Sequence, residues 1–361
     1  MSVAFSLLPD LETPCLVIDV GVLDRNLQSM AARARDRGLA LRPHAKTHKC
    51  LEIARRQVEL GAAGLTVATV SEAEVFASAG FTDLFLAYPV WAGGARGTRL
   101  RALAEQAALR VGVDSTEGAA VLARAVDGAD VEVLVEIDSG HHRTGVLPEH
   151  AGQVALAAVR SGLHITGVFT FPGHGYGPDC RAQAAADESR ALQEADAALR
   201  RARIEVSVRS GGSTPTAKLA DEYTLSELRP GVYVFNDAQQ VELGTADWDG
   251  IALTAASTVV SRSGRNVVLD AGSKVLGADR PVWTTGVGRL PDHPGARVSA
   301  LSEHHATVTF PEGEPLPELG SVLRVAPNHV CAAVNLADEL FISSGGAVVD
   351  RWLVAARGRN S

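Results

Sequence analysis

The 361-residue sequence is short of several things, and each shortage removes a class of protein. Its four cysteines, Cys15, Cys50, Cys180 and Cys331, lie far apart with no Cys-x-x-Cys pair. This excludes a disulfide framework and a four-cysteine zinc site, and makes each thiol by default a small buried hydrophobe. Positive charge is not in excess either, since 34 Lys and Arg stand against 42 Asp and Glu for a formal net charge of −8. A nucleic-acid or anionic-membrane partner calls for a basic stripe that this balance does not supply. No stretch of about 18 uncharged apolar residues occurs, and Met1 to Asp10 carry neither a basic start nor the apolar run of a signal peptide. These absences together predict a soluble, cytoplasmic protein with a small-molecule partner.

What is plentiful is apolar side chain, 46% of the residues, enough for one large core with a smaller companion. From residue 39 onward short apolar runs alternate with helical stretches: 39–41, 64–70, 84–88, 109–113, 131–137, 164–171, 205–208 and 232–235. One intervening helix is expected to open on the capping box Ser71-Glu72-Ala73-Glu74, and another, 182–203, is dense in Ala, Glu and Arg. Alternation repeated eight times predicts an α/β fold built on a (β/α)8 TIM-like barrel. After Asp237 the texture turns to Val, Thr, Gly and Pro, with strands expected at 251–260, 266–270, 306–310, 321–325, 339–342 and 347–354. This predicts a C-terminal β domain, which residues 15–20 can join. The expected domains are therefore 21–237 and 1–20 plus 238–361.

In such barrels the catalytic groups follow the C-terminal ends of strands, and the loops after the seventh and eighth strands grip phosphate. The unusual residues of this chain fall there. Arg42-Pro43-His44-Ala45-Lys46-Thr47-His48-Lys49 follows the first run, and neighbouring cations favour a neutral, nucleophilic amine at Lys46. Glu136 to Gly145 follows the fifth run, and Phe171-Pro172-Gly173-His174-Gly175-Tyr176 the sixth. Ser210-Gly211-Gly212-Ser213-Thr214-Pro215-Thr216 follows the seventh, where glycine amides and the hydroxyls of Ser213, Thr214 and Thr216 suit an anion. A phosphate grip with a reactive lysine points to pyridoxal phosphate held through an imine. Arg143 either faces that cofactor or the substrate carboxylate, or pairs with Glu136 or Asp138. Late in the chain, Pro327-Asn328-His329-Val330-Cys331 sets an imidazole and a thiol at i and i+2. If that segment is extended, both project from one face as metal ligands require, and Zn2+ suits the pair.

Together, Pro43 to Lys49, Glu136 to Gly145, Gly173 to Tyr176, Gly212 to Thr216, Leu228 to Asp237 and His329-Val330-Cys331 resemble the D-serine dehydratase and D-threonine aldolase family, nearly end to end. The resemblance implies a fold-type III, alanine-racemase-like enzyme with a metal-binding β domain. It implies that Lys46 carries pyridoxal 5'-phosphate and takes the Cα proton, and that His174 serves the substrate β-hydroxyl. It places Arg143 and Tyr176 at the cofactor, with Gly212, Ser213, Thr214, Gly231 and Tyr233 at its phosphate end. His329 and Cys331 become ligands of a divalent metal, Zn2+ first and Mn2+ or Mg2+ as alternatives.

The activity so implied is a lyase acting on D-β-hydroxy-α-amino acids, by D-serine dehydratase-like elimination of water or by D-threonine aldolase-type retro-aldol cleavage. Cys331, where aldolase-like members tend to carry aspartate, inclines the reading to the dehydratase side. A homodimer is expected by the same resemblance. The competing readings are an amino-acid racemase, a non-catalytic pyridoxal phosphate carrier, and a metal-dependent barrel hydrolase.

Overall fold

The computed structural model describes residues 11–361, so the first ten residues of the expected β domain lie outside them. The described chain forms two compact units. One comprises residues 11–29, 47–52 and 232–358; the other comprises Met30–Lys46, Ile53–Gly231 and Arg359–Ser361. Strand β1 (Cys15–Asp19) belongs to the first unit.

The second unit is a barrel of eight parallel strands: β2 (Ala40–Leu41), β3 (Leu65–Val67), β4 (Asp83–Pro89), β5 (Ala108–Val113), β6 (Val131–Glu136), β7 (His164–Phe169), β8 (Val208–Gly211) and β9 (Glu227–Leu228). The sheet runs β2-β9-β8-β7-β6-β5-β4-β3. Its edges meet just beyond β2, where His44 bridges Thr66 and the Thr66 amide donates to Pro43 O at 2.9 Å. Inside, Phe85, Leu134 and Phe169 form a buried cluster, and the Phe85 and Phe169 rings meet edge to face at 5.1 Å. The fully buried guanidinium of Arg229 covers both rings, at 5.4 and 5.3 Å.

Two expectations about this unit need correcting. The run 232–235 is not the eighth strand: Val232–Val234 is a 3-10 turn, and the strand is β9. Val232, Tyr233, Val234 and Phe235 are apolar because they are all buried, not because they are extended. The true strand was masked by Glu227, a buried acid that ion-pairs with Arg42 at 2.7 Å and Arg110 at 3.3 Å. The expected capping box is likewise displaced. Helix Val70–Ser78 is capped by Thr69, whose hydroxyl accepts from the Glu72 amide at 3.0 Å while Glu72 Oε2 accepts from Ala68 N at 2.7 Å. Ser71 already lies in the first turn, where its hydroxyl accepts from Arg99.

In the first unit, β10 (Leu253–Ser263), β11 (Asn266–Leu269), β12 (Gly288–Arg289), β13 (Arg297–Leu301), β14 (Ala306–Thr309) and β15 (Val322–Pro327) form a closed ring. β10 pairs with β15 on one side and, past a bulge near Val259, with β11 on the other. β1 extends this ring, antiparallel to β10 with Ile18 opposite Leu253. It is also parallel to β16 (Glu339–Ser344), with Val17 opposite Phe341, and β17 (Ala347–Leu353) completes the sheet. The six strands expected after residue 250 are all present, and 15–20 does join them. β12 and β13 were not anticipated, being two residues long and bulged respectively. Among the described residues no helix is long and apolar enough to cross a membrane.

Candidate functional site

Lys46 sits in the 3-10 turn Ala45–Thr47, directly after the barrel seam. The amides of Arg42 and His44 donate to Leu228 O and Pro230 O at 2.9 Å each, while the carbonyls of Leu41 and Pro43 accept from Ala63 and Thr66 on the other side. Pro43 occupies a position whose missing N–H is not needed, so the backbone entering the Lys46 turn is held on both sides. Other members of the basic run have structural partners. Arg42 forks onto Asp83 at 2.5 and 3.0 Å, and Gly64 makes room for it, since a Cβ there would stand 2.3 Å from Arg42 Nη1. In the β unit, Lys49 Nζ donates to Asn335 Oδ1 at 2.8 Å and its carbonyl accepts from Ala356. The buried His48 ring accepts from the Cys50 amide at 3.1 Å.

The barrel unit gathers its remaining candidates around one residue that the sequence did not single out, Phe171. Lys46 Nζ lies 5.8 Å from the ring centroid and Arg143 Cζ 5.2 Å, so two cations share one aromatic surface. His141 meets the same ring edge-on at 5.6 Å, and the tilted ring of Tyr176 lies at 6.2 Å. No ion pair joins Arg143 to Glu136 or Asp138 among the described residues. Asp138 is taken by the amides of Gly140 and His142 and by the His142 ring at 2.7 Å. Glu136 accepts from Thr144 at 2.9 Å, but its buried Oε2 has no partner among the described residues. Burial pushes its carboxyl up to about 7, against the Thr144 hydroxyl and the nearby Arg143 and Arg229 charges. Burial and the Arg143 charge hold the His141 imidazole below its usual range. His174 is half-buried, its Nε2 3.4 Å from Asp187 Oδ2, and among the described residues neither ring nitrogen has a hydrogen-bond partner.

After β8, the glycine turn is built differently from a free anion cradle. The Gly212 amide donates to Glu188 Oε1 at 2.6 Å, and Glu188 reaches it from helix Arg181–Arg201. Gly212 has φ +82°, and a Cβ there would strike Leu228 Cδ1 at 2.2 Å, so only glycine fits. The Ser213 amide and hydroxyl both meet Thr216 Oγ1, at 3.0 Å each. The helix start expected here is the short 3-10 turn Ala217–Leu219. Ser213 and Thr214 are buried, and Gly231 follows β9. In the β unit, Tyr233 lies in the turn Val232–Val234 and is also buried.

His329 and Cys331 do come together, but not on a strand. His329 is the extended residue before helix Val330–Leu336, and Cys331 is in that helix's first turn. The Cys331 sulfur lies against the imidazole and, with Asp279 and Asp237, raises its pKa to about 11 despite burial. His329 Nδ1 bonds Asp279 Oδ2 at 2.6 Å. Between the two residues the Val330 amide donates to the buried Asp237 Oδ2 at 3.1 Å, while Asp237 Oδ1 caps helix Ala238–Glu242 through Gln240. Cys331 Sγ donates to Thr47 Oγ1 at 3.3 Å. A soft thiol and an imidazole with one nitrogen already oriented make a suitable donor pair for a divalent metal. No group of three or more His, Cys, Asp or Glu is so arranged among the described residues. Of these surroundings the sequence showed only the His-x-Cys spacing.

Comparison with known proteins gives matches along most of the chain. A family model described as the alanine racemase N-terminal domain matches residues 18–239, and one described as a putative serine dehydratase domain matches residues 252–343. A D-threonine aldolase of Arthrobacter sp. is 35% identical over 362 residues, covering 96% of this chain and 93% of its own. A D-threo-3-hydroxyaspartate dehydratase of Delftia sp. (strain HT23) is 34% identical over 349 residues, covering 89% and 91%. A solved D-threo-3-hydroxyaspartate dehydratase carrying a cysteine-to-alanine mutation, in the metal-free form, superimposes with a TM-score of 0.88 at 29% identity, covering 95% of this chain and 97% of its own.

Proposed function

The chain belongs to the alanine racemase N-terminal-domain family, and from that premise we propose that it is a pyridoxal phosphate- and divalent-metal-dependent lyase acting on D-β-hydroxy-α-amino acids. The preferred reaction is elimination of water, giving a 2-oxo acid and ammonia. The observation that carries this reading is the pairing of the Cys331 thiol with the His329 imidazole at the start of helix Val330–Leu336. A metal held by a thiol and an imidazole can act on a β-oxygen. The metal-free dehydratase with its cysteine replaced supports the assignment of a thiol ligand.

When bound, pyridoxal phosphate withdraws electrons from Cα and a divalent cation polarises the β-oxygen. The residues of the chain divide the remaining work. Lys46 holds the cofactor and its amine takes the Cα proton. Ser213, Thr214, Gly231 and Tyr233 hold the phosphate end, and Gly212, its amide given to Glu188, shapes the turn. Arg143, an exposed cation steadied on Phe171, receives a carboxylate or faces the cofactor ring, and Tyr176 flanks it. His174, whose Nε2 lies 3.4 Å from the Asp187 carboxylate, gives a proton to the departing β-hydroxyl, since hydroxide leaves poorly unprotonated. His329 and Cys331 hold the metal, with Zn2+ preferred for a nitrogen and thiolate pair. A homodimer, on the family resemblance, and a cytoplasmic location complete the proposal, with the metal pair in the β unit.

The 35% identity to a D-threonine aldolase favours a second reading, retro-aldol cleavage, in which His174 instead removes the β-hydroxyl proton. Incubation with D-threonine separates the two. Formation of 2-oxobutanoate and ammonia supports the elimination, whereas glycine and acetaldehyde overturn it in favour of the aldolase.

A further inference from the structure

Asp279 lies in the loop between the short helix Ser273–Leu276 and β12, fifty positions before the histidine it contacts. Its carboxylate is about half exposed, yet its place is fixed from two directions. Oδ2 accepts from His329 Nδ1 at 2.6 Å, and the Asp279 carbonyl accepts from Asn328 Nδ2 at 3.1 Å. Asn328 is itself buried and also donates to Gly286 O at 2.9 Å, on the far side of the same loop. The residue before His329 thus ties down the loop that delivers the carboxylate. Val330, the residue after, is tied to Asp237.

With Nδ1 given to a carboxylate, Nε2 is the ring nitrogen that can carry its lone pair outward. A carboxylate bonded to the far nitrogen of a metal-bound imidazole fixes tautomer and ring angle and strengthens the ligand, and its loss typically costs 10- to 100-fold in metal affinity. We propose that Asp279 is the positioning residue that holds His329 in the tautomer and orientation for binding the metal with Cys331. This rests on the assignment of His329 and Cys331 as the metal pair. An acid so far away in the sequence, with no spacing pattern, carries no signal of the role.

The test uses the full chain, freed of metal by chelator and titrated with Co2+ and then Zn2+, following the thiolate-to-cobalt absorbance band. Asp279→Ala should bind both metals about 10- to 100-fold more weakly than wild type. Asp279→Asn, which keeps an oxygen acceptor, should recover most of that loss, and the metal-free variants should melt close to wild type. If Asp279→Ala binds as wild type does while Cys331→Ala loses the band, the positioning role is overturned and the metal pair survives. If wild type shows no thiolate band, the metal assignment falls and takes this inference with it. Should Asp279→Ala not fold, Asp279→Leu, which also lacks an acceptor for His329 Nδ1, takes its place with the same expected and overturning results.

Discussion

Glu188 Oε1 accepts the Gly212 amide hydrogen at 2.6 Å, so the turn after β8 is pinned by an acid buried behind the barrel wall. Burial raises this carboxyl to about 7, although the Gly212 amide and the Arg229 charge oppose the shift. The folded state therefore holds the proton more tightly than the unfolded chain does. The stability this confers is fully present below the ordinary carboxyl pKa of 4.5 and is lost as pH rises through about 7. Glu188→Gln, which cannot ionise, should gain stability relative to wild type between about pH 5 and about pH 8, by at most ~3 kcal/mol. Chemical denaturation at a series of pH values checks this. A difference independent of pH would refute it.

Thr47 is fully buried, and its hydroxyl faces the Cys331 sulfur. Thr47→Val preserves the shape and removes the bond, a loss of about 1 kcal/mol that becomes up to tenfold in kcat if the sulfur drifts from its working position. Thr47→Ser should remain near wild type. Steady-state kinetics beside metal analysis distinguishes this from simple misfolding, because the cofactor absorbance is expected to stay unchanged in both variants.

Two lysines three residues apart should behave oppositely. Lys46→Met is expected to give a colourless protein from which borohydride recovers no cofactor-modified peptide. Lys49→Met should keep its colour and lose about 1 kcal/mol of stability, because Lys49 bonds Asn335 within the β unit. Peptide mass analysis after reduction, with thermal melts, reads both. Label on Lys49 would overturn the choice of lysine.

Phe171 carries two cations on its ring, each contact worth about 0.5 to 2 kcal/mol. Phe171→Leu should raise KM for the amino acid roughly 2- to 30-fold by releasing Arg143, and Phe171→Tyr should change it little. Unaltered kinetics in the leucine variant would show that Arg143 is positioned by something else.

The barrel was legible in its alternation, and Lys46 in the crowding of cations and histidines at a strand end. The residues that escaped share a physical reason: their chemistry depends on neighbours distant in the chain. Phe171 reads as ordinary core at the end of an apolar run. Glu188 sits in a helix rich in Ala and charged residues, where an acid looks like part of a solvated face, and only folding buries it. Glu227 interrupts β9 as a charge until Arg42 and Arg110 arrive beside it. The His329 and Cys331 pair was visible, but a seven-residue helix is too short for its period to show, and the segment looked extended. Asp279 became recognisable only beside the ring that it holds.

The pairing of β1 bears on how the molecule is made. Val17 lies beside Phe341, and Ile18 opposite Leu253, so a segment that leaves the ribosome early must wait for partners translated much later. All eight barrel strands emerge before either partner does, and in that interval the edges of β1 are exposed to foreign chains. Deleting β17 and β16 from the end should therefore harm solubility more than their share of the sheet suggests, since it strands an unpaired edge at the opposite end of the polypeptide.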